Sequence, residues 1–427
     1  MFAALKTRDY RLLWIGQGIS HLGDQFHLIA LPWLVLTLTH DPLQLGFVLA
    51  LAGIPRALLM LIGGAFADRH SPRTIMLISD VLRFVLTGAL AATVLTGTVQ
   101  LWMVYVLALG FGVVSGFFMP AVEASLPRLL ESEQLEGGNA LMMGVDQLAQ
   151  FVGPALAGTL IAVFGTAHLA GHQAASLIGV GVALAIDALS FAVSAATLVF
   201  IRSLPALGAG EGGRPLAAVA EGLRFALSRP AFRWLVALIA AVNLLLVGPL
   251  LVGIPVLCQA RFAEGAAAFG FLIAAYGIGC LGGMVLAAMA PRPTSRTFTL
   301  VITALFIGFG LVFAALAFIT SVWVGVALLA LLGVGDGYVA IVMMTLVQRT
   351  TPTAMLGRVM SVVMLAMLGL TPVSQALAGA IIKLGPDVLF VGCGAGMLAV
   401  AAVAGLWRHS WSLDAFEAGS SLVAEGA

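Results

Sequence analysis

Gly63-Gly64-Ala65-Phe66-Ala67-Asp68-Arg69-His70-Ser71-Pro72-Arg73 places three ionised groups in one short turn. The turn lies between two long apolar runs, 44–66 and 74–95. Both flanking helices must enter water there together, because ionised side chains inside a bilayer cost several kcal/mol. The rest of the chain supports a membrane reading. Of 427 residues, 61% are hydrophobic and only 9% are charged. A soluble chain carries about a quarter charged residues, so this one could not cover its own surface in water.

A spanning helix needs about 20 mostly apolar residues. Twelve such runs occur, at 11–39, 44–66, 74–95, 101–120, 139–164, 177–201, 234–257, 267–290, 298–319, 322–345, 358–382 and 387–407. Among 20 Lys and Arg, Arg56 and Arg83 fall inside spans, and Arg261 and Lys383 fall in loops of one parity. The other sixteen lie on the opposite side. By the positive-inside rule, both termini and the Asp68 turn are cytoplasmic. No cleavable signal peptide is visible, and the first helix is expected to stay as an anchor.

The longest polar connector, 202–233, divides the spans into six and six. Within it, Leu216, Val219, Leu223 and Leu227 recur at helical spacing, with Glu221, Arg224 and Ser228 opposite. That pattern predicts an amphipathic helix on the cytoplasmic membrane face. The expected domains are a six-helix bundle at 1–201, the linker 202–233, a second bundle at 234–408 and a disordered tail at 409–427.

The halves also repeat. A shift of 219 pairs Asp24 with Asn243, Gly64 with Gly283 and Arg73 with Arg292; a shift of 221 pairs Trp102 with Trp323, Gly112 with Gly333, Gly116 with Gly337 and Arg128 with Arg349. Two parallel six-helix halves with a site between them at mid-membrane form a recurrent transporter architecture. The fold class is therefore all-α: twelve transmembrane helices in two pseudo-symmetric bundles. The repeat is unequal in charge. Arg56, Asp68, Arg69, Asp80 and Arg83 correspond to Ala275, Ala287, Ala288, Thr299 and Ile302. Coupling chemistry is thus expected in residues 1–201.

Ionisable residues inside spans mark cavities, partners or proton paths. Asp24 sits 13 residues after Arg11, about 20 Å along its helix. Arg56 lies at similar depth on the next, antiparallel helix. These two are the proton-coupling candidates: Asp24 exchanges the proton and Arg56 tunes its affinity. A buried structural pair is the alternative. His21 and His27 lie one turn either side of Asp24. Asp80 and Arg83, three apart, should pair in a structural role. His27, Asp146, Gln147, Asn243, Asp336 and Tyr338 are candidate cavity residues, and Asp187 is a further intramembrane carboxylate. Asp68 is expected at the N-terminal end of the eleventh helix near Gly357 and Arg358. Arg73 is expected to reach Glu123.

The order Gly-x-x-x-Asp-Arg-x-x-x-Arg at 64–73 resembles the loop between the second and third helices of the major facilitator superfamily. This chain has Ser71 where that pattern has Gly, and Thr74 where it has a basic residue. The resemblance implies that Gly64, Asp68, Arg69 and Arg73, with Glu123, act as a cytoplasmic gate. On the fifth span, Gly144, Gly153, Pro154 and Gly158 look like the superfamily's antiporter motif, although Ala140, Ala149 and Ala157 replace several of its glycines. Further phrases look like the macrolide-efflux and enterobactin-exporter branch. They are Gly16-Gln17-x-Ile19-Ser20-x-Leu22-Gly23-Asp24, Pro55-Arg56, Pro127-Arg128-Leu129, Gly137-Gly138-Asn139-Ala140, Glu221-Gly222-Leu223-Arg224-Phe225 and Gly357-Arg358-Val359-Met360. That resemblance implies proton-driven export of small amphipathic molecules from a bacterial cytoplasm. A proton-independent facilitator or importer of the same fold is the alternative.

Other classes are excluded or disfavoured. The only lysines are Lys6 and Lys383, and neither follows a glycine, so no Walker-type phosphate loop exists. Cys258, Cys280 and Cys393 lack metal-site or disulfide spacing. No catalytic motif marks an enzyme and no basic patch with aromatics marks a nucleic-acid binder. The expected partners are the bilayer, a small-molecule substrate and protons. No cofactor or metal is expected. The chain is expected to be a monomer in the bacterial inner membrane.

Overall fold

The computed structural model describes residues 2–166, 174–202, 224, 228, 230–290, 295–351 and 353–406. Almost all are helical. A short 3-10 turn, Phe2–Lys6, leads into α1 (Arg8–Thr39), α2 (Pro42–Arg69), α3 (Pro72–Leu95), α4 (Leu101–Leu129), α5 (Ser132–Thr166) and α6 (Ala174–Val199). The second half begins with α7 (Pro230–Gly248), which passes through a π turn at Pro249–Gly253 into α8 (Ile254–Arg261). Then follow α9 (Ala266–Met289), α10 (Ser295–Leu316), α11 (Val322–Thr350), α12 (Thr353–Leu368), α13 (Thr371–Ile381) and α14 (Pro386–Leu406). Counting α7–α8 as one span and α12–α13 as another, twelve segments are long and apolar enough to cross a membrane.

The expected spans are all present, but several helices outrun them. α4 continues to Leu129 and α5 starts at Ser132, so both extend past the apolar stretch. Hydropathy reports where lipid ends; a helix stops only where a cap or a bend stops it. The turns show those stops. His40 adopts the left-handed conformation at φ 52°, and its N–H closes onto the Leu36 carbonyl. Asp41 then caps α2, its carboxylate accepting from the Leu43 N–H at 3.0 Å, with Pro42 as the first helical residue. Gly97, at φ 71°, ends α3. The helix expected from Leu216 to Leu227 and the tail beyond 406 lie outside the described residues, apart from Arg224, which is helical and exposed like Ser228 just after it; residues 230–233 of the expected linker already belong to α7.

Two compact units are resolved: Met1–Gly212 with Pro255–Ala274, and Gly213–Ile254 with Ala275–Ala427. In the first, α1 packs on α5 and α6, α3 on α6 and α4, and α2 on α4. In the second, α10 packs on α14, and α7 on α12 and α13. Small residues set the closest approaches, as expected where lipid supplies no hydrophobic drive between helices. A Cβ on Gly112 of α4 would run into the α2 backbone at Ala52, and one on Gly116 would strike Leu59 Cβ with the Arg56 carbonyl 3.2 Å away. Their repeat partners, Gly333 and Gly337 of α11, meet the α9 backbone at Tyr276 and Cys280. The same glycines thus do the same packing in both halves. Their contacts on α9 fall five residues, about one and a half helical turns, beyond the positions that the 219-residue shift assigns to Ala52 and Arg56.

Candidate functional site

Three titratable residues on α1 organise the first unit. His21, Asp24 and His27 are spaced three apart, so they fan over about 120° of the helix. His21 Nδ1 lies 3.5 Å from the Asp146 carboxylate of α5, which also accepts from Gln150 Nε2 at 2.9 Å. His27 Nδ1 lies 3.0 Å from the Asp187 carboxylate of α6. The His27 ring also stacks on Phe111 of α4, with centroids 4.8 Å apart and planes at 12°. Asp24 sits between the two histidines and is half-buried.

Asp24 is the anion whose field reaches Arg56 on α2. The two groups stand farther apart than an ion pair, and Arg56 is exposed. The expected direct contact at matched depth is therefore replaced by a longer-range attraction. The reason lies in the packing: α2 is pressed against α4, and the Arg56 backbone abuts Gly116.

Asp80 and Arg83 do form the expected pair, at 2.6 Å and almost fully buried. The Arg83 guanidinium lies 3.7 Å from the centroid of Phe118 and 4.6 Å from that of Phe191. These rings come from α4 and α6, so one cation ties three helices together. Buried polar groups of α1 continue the cluster: Gln17 Nε2 donates to Ser194 Oγ at 3.4 Å. Gly23 permits this closeness. A Cβ there would stand 2.6 Å from Ser190 Cβ and 3.0 Å from Asp187 Oδ1.

The charged turn departs from expectation in one contact. Arg73 does not go to Glu123, which is exposed. Its Nε and Nη2 donate to the carbonyls of Leu198 and Val199, each at 2.8 Å. These are end carbonyls of α6, beyond the reach of the i→i+4 ladder; the Leu198 oxygen also accepts the Ile201 N–H at 3.2 Å, and the guanidinium answers the negative end of the helix. Arg69 is exposed at the end of α2. Gly64 and Asp68 belong to the last turns of α2. The side chains of Asp68 and Arg358 lie outside the described residues.

On α5 the four motif residues separate by environment. A Cβ on Gly144 would meet nothing within 4 Å. One on Gly153 would strike the Gln25 side chain of α1. Pro154 and Gly158 face Gly270, within the Pro255–Ala274 segment of the same unit. A Gly158 Cβ would stand 2.9 Å from the Gly270 Cα. Backbone therefore meets backbone at this point.

The remaining candidates do not converge. Gln147 is half-buried on α5. Asn243 Nδ2 donates to the Ile239 carbonyl of its own helix at 3.0 Å. Asp336 accepts from Tyr276 Oη of α9 at 2.7 Å. Tyr338 instead lines an apolar crevice of about 520 Å³ with Leu286, Met289, Val301, Leu305 and Val334. Residues two apart on a helix point about 200° apart, so Asp336 and Tyr338 do not share a wall. Sequence reading named neither the His27–Asp187 contact nor the Tyr276–Asp336 contact. The available signal was the cost of a carboxylate inside a span, which demands a partner without naming it. Among the described residues, no group of three or more His, Cys, Asp or Glu is placed to hold a metal ion.

Comparison with known proteins agrees with this architecture. The chain is 28% identical to the enterobactin exporter EntS of Shigella boydii serotype 18 over 363 residues, covering 83% of this chain and 81% of that one. It is 27% identical to EntS of Escherichia coli O139:H28 over the same shares. Solved structures with the same fold include the nucleoside transporter NupG (TM-score 0.72, 11% identity, 94% of this chain and 99% of that one). A bacterial homologue of the iron transporter ferroportin also shares it (TM-score 0.66, 18% identity, 94% and 98%). The family model of the Major Facilitator Superfamily matches residues 13–373. Twelve membrane-length helices and a family match over most of the chain lead to one conclusion: this protein belongs to the major facilitator superfamily and is a membrane transporter, not an enzyme.

Proposed function

We propose that the protein exports small amphipathic molecules, drug-like compounds or a siderophore-like metabolite, in exchange for protons. The halves 1–201 and 234–408 would rock about a mid-membrane site, with both termini in the bacterial cytoplasm. The observation that carries this reading is the concentration of intramembrane charge in the first unit, on a chain similar to the enterobactin exporters over four-fifths of its length. Charge in a span is retained where it does work, because it costs free energy otherwise. Asp24 is the acid that exchanges with water: it is half-buried, and Arg56 answers it from a distance. Protonation of Asp24 removes that attraction and biases which arrangement of the helices is populated. Gly64, Asp68, Arg69 and Arg73 form the gate at the inner face, with Arg73 acting through the end of α6.

Everted membrane vesicles test the proposal. An amphipathic dye should accumulate when a proton gradient is imposed, and Asp24→Asn should abolish the dependence on that gradient. Transport in the native protein that ignores the gradient would support the proton-independent facilitator instead.

A further inference from the structure

Asp187 is wholly buried, with a side-chain exposure of 0%. Its Oδ2 meets His27, while its Oδ1 has no hydrogen-bond partner among the described residues. The one buried guanidinium of this cluster, Arg83, is committed to Asp80 at 2.6 Å. The other charges that reach Asp187 are Asp24 on α1 and Arg83 on α3. The charged groups of the remaining neighbours lie elsewhere: Asp146 of α5 holds His21, and α4 presents the Phe111 ring to His27. Among the described residues, the only titratable nitrogen in contact with Asp187 is thus that of the His27 imidazole, at 3.0 Å.

Among the buried members of this cluster, two carboxylates, Asp80 and Asp187, face one guanidinium, Arg83; the half-buried Asp24 and the exposed Arg56 answer each other outside it. The cluster is one positive charge short. A carboxylate left ionised and uncompensated in a dry interior costs several kcal/mol, and one proton on the pair removes that cost. The proton can sit on His27 Nδ1 or on Asp187 Oδ2, and the pair is neutral either way. His27 also provides the route in, because its side chain keeps 17% exposure and borders a small cavity with Thr87, Leu90 and Ala108.

We propose that His27 and Asp187 form a second proton-binding site, distinct from Asp24, which holds one proton between α1 and α6, with the carboxylate buried and the imidazole at its partly exposed edge. It deepens the proton-coupled reading above. Asp24, one turn nearer the chain start on α1, is the half-buried station; the His27–Asp187 pair, with its buried carboxylate, is the other. Loading the pair keeps α1 and α6 together. Unloading it leaves an unpaired buried charge that favours their separation or entry of water.

The test needs no substrate at first. Protein with 15N-labelled histidine in lipid nanodiscs is titrated by NMR between roughly pH 5 and 8, the range in which histidine changes charge. His27→Gln identifies the His27 signal by its disappearance. Asp187→Asn should shift or abolish the His27 titration, while Asp146→Asn should move only that of His21. A His27 titration unaltered by Asp187→Asn would overturn the proposal. Dye transport in proteoliposomes supplies the second arm. Asp187→Asn should lower the ratio of gradient-driven uptake to dye counterflow; an unchanged ratio counts against the site. A native protein that ignores the gradient defeats the antiport reading alone, because the NMR result still decides whether the pair holds a shared proton.

Discussion

Replacing Arg83 by Met would isolate the energetics of the buried cluster. The substitution keeps most of the side-chain volume but removes the cation that faces Asp80 at 2.6 Å. Asp80 is fully buried, so its charge would be left without an answer. Breaking such a pair from one side costs about 3–5 kcal/mol. The ring contacts to Phe118 and Phe191 go with it. Each is worth roughly 0.5–2 kcal/mol, but they overlap with the same desolvation term. A loss of about 4 kcal/mol is therefore expected for Arg83→Met, the middle of the range for a broken buried pair. Adding Asp80→Asn removes the orphaned charge and leaves only an unsatisfied amide, at about 1–3 kcal/mol. The double variant should be the more stable of the two by roughly 2 kcal/mol, within the usual coupling for residues in contact. The assay is unfolding in mixed detergent micelles against SDS mole fraction, read by tryptophan fluorescence. If Arg83→Met matches the native protein, or if the double variant is less stable than Arg83→Met, the reasoning about an uncompensated buried charge fails.

Other outcomes follow from single contacts. Gly158→Val should destabilise the first unit, because its side chain runs into the Gly270 backbone, whereas Gly144→Val should not, having open space; thermal stability of the purified variants decides it. Arg73→Gln removes two charge-assisted bonds to the end of α6, each about 1.5–3 kcal/mol at most and less where exposed. Faster amide exchange near Leu198 should result, and Glu123→Gln should leave that exchange unchanged. Tyr276→Phe deprives Asp336 of its 2.7 Å donor and should cost about 1–3 kcal/mol. Phe at 276 with Asn at 336 should recover part of that loss in the same unfolding assay.

The repeat gives a sharper view of what sequence matching can hold. Gly112 and Gly333, and Gly116 and Gly337, were paired by a fixed shift along the chain, and each pair packs against a neighbouring helix in its own half. Charge did not repeat, and the structure shows its consequence: the buried ion pair and the His27–Asp187 contact belong to the first unit, while the second offers Tyr276 to Asp336.

Twelve membrane spans, their order and the imbalance of charge between halves could be read from the chain alone, though not the breaks that divide two of the spans. Hydropathy is a property of consecutive residues, and a bilayer turns it directly into structure, since every backbone polar group must be satisfied within the helix. The Asp80–Arg83 pair was legible for the same reason, being three residues apart on one helix. The partners of His27, Arg73 and Asp24 were not. His27 and Asp187 are 160 residues apart, and Arg73 and Leu198 are 125. Which face of one helix meets which face of another depends on where small residues such as Gly23 and Gly116 let backbones approach. That is decided only when all the helices pack together, and it moved Arg56 out of contact with Asp24 while bringing Asp187 to His27.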